Sequence, residues 1–185
     1  MMKILNLYCS MTGNTKKIAL QIEKTAKSLG MMEVTTIEVT KDSDPNEFDL
    51  LDFDFIFIGS GVYTWLPPQI MIDFCRAMLN KHVDRGDVKS YSPRIDKKRA
   101  VTYCTFGGPH TGVNEAIFTP KFLGQLLDHL GIEVIAEWLI EGQFNSKNER
   151  YMRFNTEGRM GDITGRPNES DLQRVANWVT GVLKV

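Results

Sequence analysis

Ser10-Met11-Thr12-Gly13-Asn14-Thr15 follows directly on the apolar run Ile4-Leu5-Asn6-Leu7-Tyr8-Cys9, and this junction decides the fold. A short strand ends there and an amphipathic helix begins, with apolar or small residues at Ile18, Ile22, Ala26 and Leu29. Three hydroxyl side chains, one carboxamide and one glycine lie between them. That inventory wraps a phosphate without a cationic side chain. Backbone N–H groups at the start of a helix point outward, and the helix dipole favours an anion there. Ser10, Thr12 and Thr15 add O–H donors, Asn14 adds N–H donors, and Gly13 lets the backbone approach closely. Gly13-Asn14-Thr15 is not the Gly-Lys-Ser/Thr ending of a Walker motif. The competing reading is a solvated turn with Thr12 as N-cap, although capping needs only one of these side chains.

Outward from this junction, apolar runs recur at Ile4–Cys9, Val34–Val39, Phe55–Gly59, Ala100–Thr105 and Val134–Ile140. Phe55-Ile56-Phe57-Ile58 has no polar alternation, as expected of a central strand buried on both faces. Helical spacing follows at Ile70, Phe74 and Met78, and again at Phe122, Leu123, Leu126, Leu127 and Leu130. A last helix carries Leu172, Val175, Ala176, Val179 and Leu183, with Asn168 as its N-cap and Pro167 just outside. Strands alternating with helices predict a parallel sheet covered on both faces, in a single domain over 1–185.

Two segments depart from the alternation. Lys81–Arg99 is polar and mixed in charge, and reads as a surface excursion. The second is a long loop at about 141–167 before the last helix. Its part Glu141–Arg166 lacks clear periodicity and reads either as a solvated loop or as a lid or docking surface.

With 185 residues, 42% hydrophobic and 24% charged, the chain has mass for a proper core. A net charge of −1 argues against nucleic acid or an anionic membrane as partner, and no apolar stretch approaches a membrane span. The chain starts straight into a strand, so no signal peptide is expected. Cys9, Cys75 and Cys104 are widely spaced without a C-x-x-C, which suits reduced thiols in the cytoplasm. His82, His110 and His129 lack paired metal-ligand spacing, and Ser60 lacks the frame of a nucleophile elbow. Neither a metal site nor a catalytic residue is expected.

The junction at Ser10–Thr15 resembles the phosphate loop of the flavodoxin family, whose usual form is Thr/Ser-x-Thr-Gly-x-Thr. The stretch Gly59-Ser60-Gly61-Val62-Tyr63-Thr64-Trp65-Leu66-Pro67-Pro68 is similar to a second family loop, commonly Gly-Ser-Pro-Val-Tyr-Trp. Here Gly61 takes the proline position and Thr64 precedes the tryptophan. The third loop, Thr105-Phe106-Gly107-Gly108-Pro109-His110-Thr111-Gly112, is rich in Gly and Pro. The resemblance covers most of the chain. It implies an α/β flavodoxin-like fold with a five-stranded parallel sheet in the order 2-1-3-4-5 and helices on both faces.

It also implies a site for FMN. Ser10, Met11, Thr12, Gly13, Asn14 and Thr15 would hold the phosphate. Val62, Tyr63, Thr64 and Trp65 would lie against the ring. Thr105, Phe106, Gly107, Gly108, His110 and Gly112 would follow its polar edge, with His110 either near the ring or simply on the surface. The Gly61 carbonyl is the expected acceptor for a flavin N–H. Electron transfer to a redox partner protein or a small-molecule acceptor is the implied function, although −1 is a weak charge for steering to a basic partner. An NAD(P)H-dependent quinone or flavin reductase using FMN, and a flavin-free interaction domain, are the alternatives. Whether the protein is an enzyme, and whether it forms a homodimer, stays open at this level.

Overall fold

The computed structural model describes residues 1–30 and 32–184. Strands β1 (Met2–Cys9), β2 (Met32–Glu38), β3 (Phe55–Gly61), β4 (Arg99–Phe106) and β5 (Glu133–Glu141) form one parallel sheet ordered β2-β1-β3-β4-β5. Each run predicted from sequence is a strand, its ends moved by a residue or two. Every residue of β3 is buried, as its unbroken apolar composition requires.

Four long helices cover the sheet: α1 (Asn14–Ser28), α2 (Gln69–Asp84), α3 (Phe118–His129) and α6 (Glu169–Leu183). Two single-turn helices, α4 (Glu149–Met152) and α5 (Phe154–Glu157), stand in the connection before α6. Alternate strand residues face opposite ways and helix residues three or four apart share a face, so two core layers result. Leu5, Leu7, Ile56 and Ile58 meet Met71, Phe74 and Met78 of α2 and Leu123, Leu126 and Leu127 of α3. On the other face Ile4, Phe55, Phe57 and Val101 meet Ile18 and Ile22 of α1 and Val175, Val179 and Leu183 of α6. Each such fully buried side chain contributes about 1.5–3 kcal/mol relative to exposure.

The one polar residue inside the first apolar run is satisfied within the core. Asn6 donates to the Ala19 carbonyl at 2.8 Å and accepts from the Tyr103 hydroxyl at 3.2 Å. Tyr103 needs room to reach it, and Gly59 supplies that room: a Cβ there would lie 2.2 Å from the Tyr103 ring. Asn168 caps α6 in a reciprocal capping box with Asp171, with Pro167 just outside.

The expected surface excursion Lys81–Arg99 is shorter than the sequence implies. Lys81 to Asp84 continue α2 and Arg99 opens β4. His82 is fully buried, its Nδ1 2.8 Å from Asp87 Oδ2 and its Nε2 3.8 Å from Asp49 Oδ1. Lys81 donates to the carbonyls of Pro45 and Phe48. Partnering at His82 Nδ1 and Lys81 Nζ lets these residues stay helical against the core, although His82 Nε2 makes no hydrogen bond. Among the described residues no helix is long and apolar enough to cross a membrane.

Candidate functional site

The strand order reverses between β1 and β3. From β1 the chain turns to α1 on one face, and from β3 to α2 on the other. Loops leaving neighbouring strands in opposite directions open a crevice beyond their carboxyl ends. The loop after β4 forms its far wall.

The loop after β1 carries Ser10 to Gly13. Gly13, at φ +93°, occupies the N-cap position of α1 and has no side chain to cap it with. Thr12 is therefore not the N-cap that the plain-turn reading requires: the left-handed backbone at Gly13 moves the helix start past it. The first-turn N–H groups have no partner inside the helix. One is taken by Ser10, whose Oγ accepts from the Lys16 N–H at 3.1 Å. Met11 is exposed at the rim. Thr15 is buried and its Oγ1 lies 2.9 Å from Thr105 Oγ1.

The loop after β3 contains a two-residue turn. Tyr63 and Leu66 exchange main-chain hydrogen bonds at 2.8 and 3.2 Å, with Thr64 at φ +48° and Trp65 at φ +72° between them. Left-handed backbone at a β-branched and a bulky residue costs roughly 1–2 kcal/mol each. The Thr119 hydroxyl pins the turn to α3 through the Trp65 carbonyl at 3.1 Å. The turn holds Trp65 outward, 57% exposed, and Tyr63 against the loop after β1. Burial, outweighing the hydrogen bond that the phenol oxygen accepts from Thr12, pushes that phenol above its ordinary pKa. Gly61 ends β3, and its carbonyl, the expected acceptor for a flavin N–H, accepts from the Ser60 hydroxyl at 3.0 Å.

The loop after β4 is braced from below. Glu115 accepts the N–H groups of His110 and Thr111, both at 2.7 Å. Gly112 donates to the Gly108 carbonyl and is buried. Phe106 is also buried, while His110 is exposed.

The connection after β5 is the part that sequence reasoning left undecided. It folds back as a lid over both neighbouring loops. Its neck is closed where the Gln143 N–H donates to the Arg166 carbonyl at 2.9 Å and Arg166 pairs with Glu141 at 2.9 Å. Asn14 donates to the Gln143 carbonyl at 2.7 Å, and Asn145 donates to the Thr12 carbonyl and to Asn14 Oδ1, both at 3.1 Å. Buried Asn155 clasps the main chain of Phe144 at both N–H and C=O. Phe144 lies so close over Gly107 that a Cβ there would be 2.4 Å from its ring. The Arg159 N–H donates to the Pro109 carbonyl at 2.7 Å.

Two cavities result. The larger, about 450 Å³, is lined by Thr12 and Asn14, by Val62, Tyr63 and Thr64, and by Thr105, Phe106 and Gly107. Gln143, Phe144, Asn145, Ser146 and Tyr151 of the lid complete it. The second, about 300 Å³, adds Trp65, Gly108 and His110 with Phe154. Of the residues singled out from sequence, Ser10, Met11, Gly13, Thr15 and Gly112 line neither cavity. Ser10, Gly13 and Thr15 shape the backbone of the loop after β1 behind its wall, and Gly112 closes the turn beneath the β4 loop. The lid residues were missed because single-turn helices show no period. The sequence signal that could have found them is Gln143-Phe144-Asn145, amide and aromatic groups at a strand end.

Among the described residues no lysine or arginine lines either cavity. An anion there depends on uncapped amides and hydroxyls at the start of α1. The donor set fits a phosphate at this end, and the flat, aromatic remainder fits a ring system. The thiols stand apart from this chemistry. Cys9, Cys75 and Cys104 are buried, and burial pushes Cys9 up to about 11 and Cys75 up to about 12.

A family model described as Flavodoxin domain matches residues 5–125, which include β1 from Leu5, the loop after it, β2, β3, β4 and most of α3. No curated protein sequence matches the chain. The fold is similar to that of the flavodoxin of Streptococcus pneumonia TIGR4, with TM-score 0.63 and 17% identity over 99% of each chain. It is also similar to flavodoxin 2 of Bacillus cereus, with TM-score 0.65 and 21% identity over 98% of each chain. A flavodoxin from the domain Archaea superposes with TM-score 0.61 and 18% identity over 99% of this chain and 97% of that one. At such identity the structures establish shared architecture, and the family model carries the membership. With its strand order and its crevice beyond β1, β3 and β4, this chain belongs to the flavodoxin domain family.

Proposed function

We propose that this protein binds FMN in the crevice and transfers electrons to a redox partner protein or a small-molecule acceptor in the cytoplasm. One observation carries the reading: the loops after β1, β3 and β4 line one cavity of about 450 Å³, with Thr12 and Asn14 from the first and Thr105 to Gly107 from the third. Bound FMN supplies the electron chemistry. The chain's own residues bind, orient and exclude water. The start of α1, with Thr12, holds the phosphate by hydrogen bonds from amides and a hydroxyl, and Ser10 braces the loop behind it. The loop after β4 places its main chain against the polar edge of the ring. The strained turn at Thr64 and Trp65 sets an aromatic side chain at the ring, and the lid shuts water out.

The test starts with the absorbance spectrum of the purified protein and a titration of the apoprotein with FMN. Uptake of FMN in a one-to-one complex is expected. A protein that takes up neither FMN nor riboflavin overturns the reading. Anaerobic reduction then separates carrier from enzyme. Two resolved one-electron steps with slow NAD(P)H oxidation support the carrier. A single two-electron step with fast quinone-dependent NAD(P)H oxidation makes the protein a reductase.

A further inference from the structure

We infer that Tyr151, carried on the lid, covers the second face of the ring bound in this site and keeps hydride donors from stacking there. The inference rests on the FMN reading above. A flat ring in a dry site needs aromatic or apolar cover on both faces. The loop after β3 offers Trp65 and Tyr63, 57% and 37% exposed. The loop after β4 has little to set opposite them. Its Phe106 is committed to the core at 4% exposure, and Gly107, Gly108 and Pro109 follow.

Cover for the second face therefore falls to the lid. Phe144 is spent on Gly107, and Phe154 is wedged among His110, Phe144 and Tyr151 at ring-centre distances of 5.1, 5.9 and 6.4 Å. Tyr151 lines both cavities, as Phe144 does, but it stays 47% exposed where Phe144 is half-buried over Gly107, and it has Phe154 behind it. Its helix is a single turn, held at its start by the Asn148 side chain, which accepts from the Arg150 N–H at 3.0 Å. Tyr151 is thus an exposed aromatic on a small, braced element at the junction of the two cavities.

This arrangement selects the route of the electrons. A reduced nicotinamide delivers a hydride, two electrons with one proton, only when its ring stacks face to face on the acceptor ring, and it leaves oxidised. With Trp65 toward one face and Tyr151 toward the other, neither face is free for it. One-electron exchange at the ring's edge needs no such stacking. Tyr151 is in this sense a specificity-determining residue.

The experiment compares wild type, Tyr151→Phe and Tyr151→Ala, each first shown to keep the wild-type circular dichroism and melting temperature. Bound-flavin fluorescence, FMN and riboflavin affinities, and NAD(P)H oxidation are read for all three. Tyr151→Ala is expected to brighten the bound flavin, to weaken FMN and riboflavin by the same factor of about 2- to 10-fold, and to accelerate NAD(P)H oxidation. Tyr151→Phe is expected to match wild type in all three. Unchanged fluorescence and affinity in Tyr151→Ala, with FMN bound by wild type, overturn the inference alone. Failure of wild type to bind FMN overturns it together with the reading beneath it.

Discussion

The hydroxyls of Thr15 and Thr105 lie 2.9 Å apart in the interior, joining the first turn of α1 to the end of β4 across ninety residues of sequence. Only one of the two hydrogens is used between them, so the pair keeps a donor to offer. Thr15→Val keeps the shape but leaves the Thr105 hydroxyl without its partner, at a cost of about 1–3 kcal/mol. The double variant Thr15→Val/Thr105→Val recovers most of that loss, because both polar groups are gone. Urea denaturation of the four apoproteins measures the cycle. Additive losses would refute the coupling.

Thr12 is expected to act on the ligand rather than the fold. Its side chain lines the larger cavity and caps nothing. Thr12→Ala should weaken FMN by about 1.5–3 kcal/mol, the range for a hydrogen bond to a charged group, and leave riboflavin almost untouched. Calorimetric titration with both ligands decides it. Equal losses would remove Thr12 from the phosphate.

The strained turn predicts a trade between stability and function. Thr64 at φ +48° is a β-branched residue in left-handed backbone. Thr64→Asn should relieve the strain and stabilise the apoprotein by up to about 1 kcal/mol. The same change should broaden the setting of Trp65 and shift the flavin's one-electron potentials. Melting temperature and anaerobic potentiometry report the two effects, and a variant no more stable than wild type would show that the turn is not strained.

At the neck of the lid, Asp171 is nearly buried between Arg166 and Arg174. Burial alone would raise its pKa, but the Arg166 hydrogen bonds, the Asn168 N–H and both guanidinium charges lower it below 3.8. A depressed carboxylate pKa stabilises the folded state above its unfolded value, and that stability is lost as pH falls through the folded value. Asp171→Asn should therefore cost about 1.5–3 kcal/mol at pH 7, and the gap should close below about pH 3.8. Denaturation curves at pH 7 and pH 3 test the sign. A gap that widens toward acid would contradict it.

Much of this was legible in the residues. Unbroken apolar runs mark strands, and Asn168 ahead of an apolar period marks α6. The strand order came from likeness to the family, since no local pattern encodes which strands pair. The lid was not legible. Tyr151, Phe154 and Asn155 sit on turns too short to have a period, and their value comes from what they meet across space. Asn14 shows the same limit from the other side. Its amide looked free for a phosphate, yet it donates to the Gln143 carbonyl, a residue far along the chain. His82 reads as part of a polar surface stretch, and only its acidic neighbours Asp49 and Asp87 account for its burial.

The neck formed by Glu141, Gln143 and Arg166 brings the two ends of the lid together before any of it reaches the crevice. To the sheet, the whole segment is one short splice. Closing a loop becomes only about 0.6 kcal/mol harder each time its length doubles. Changes of length between residues 143 and 166 thus leave the sheet's own connections as they are and act through the lid's contacts with Thr12, Asn14 and Pro109, redrawing a wall of the crevice. The neck is a natural graft point, where the specificity of the protein can be rewritten in evolution or in the laboratory without renegotiating its architecture.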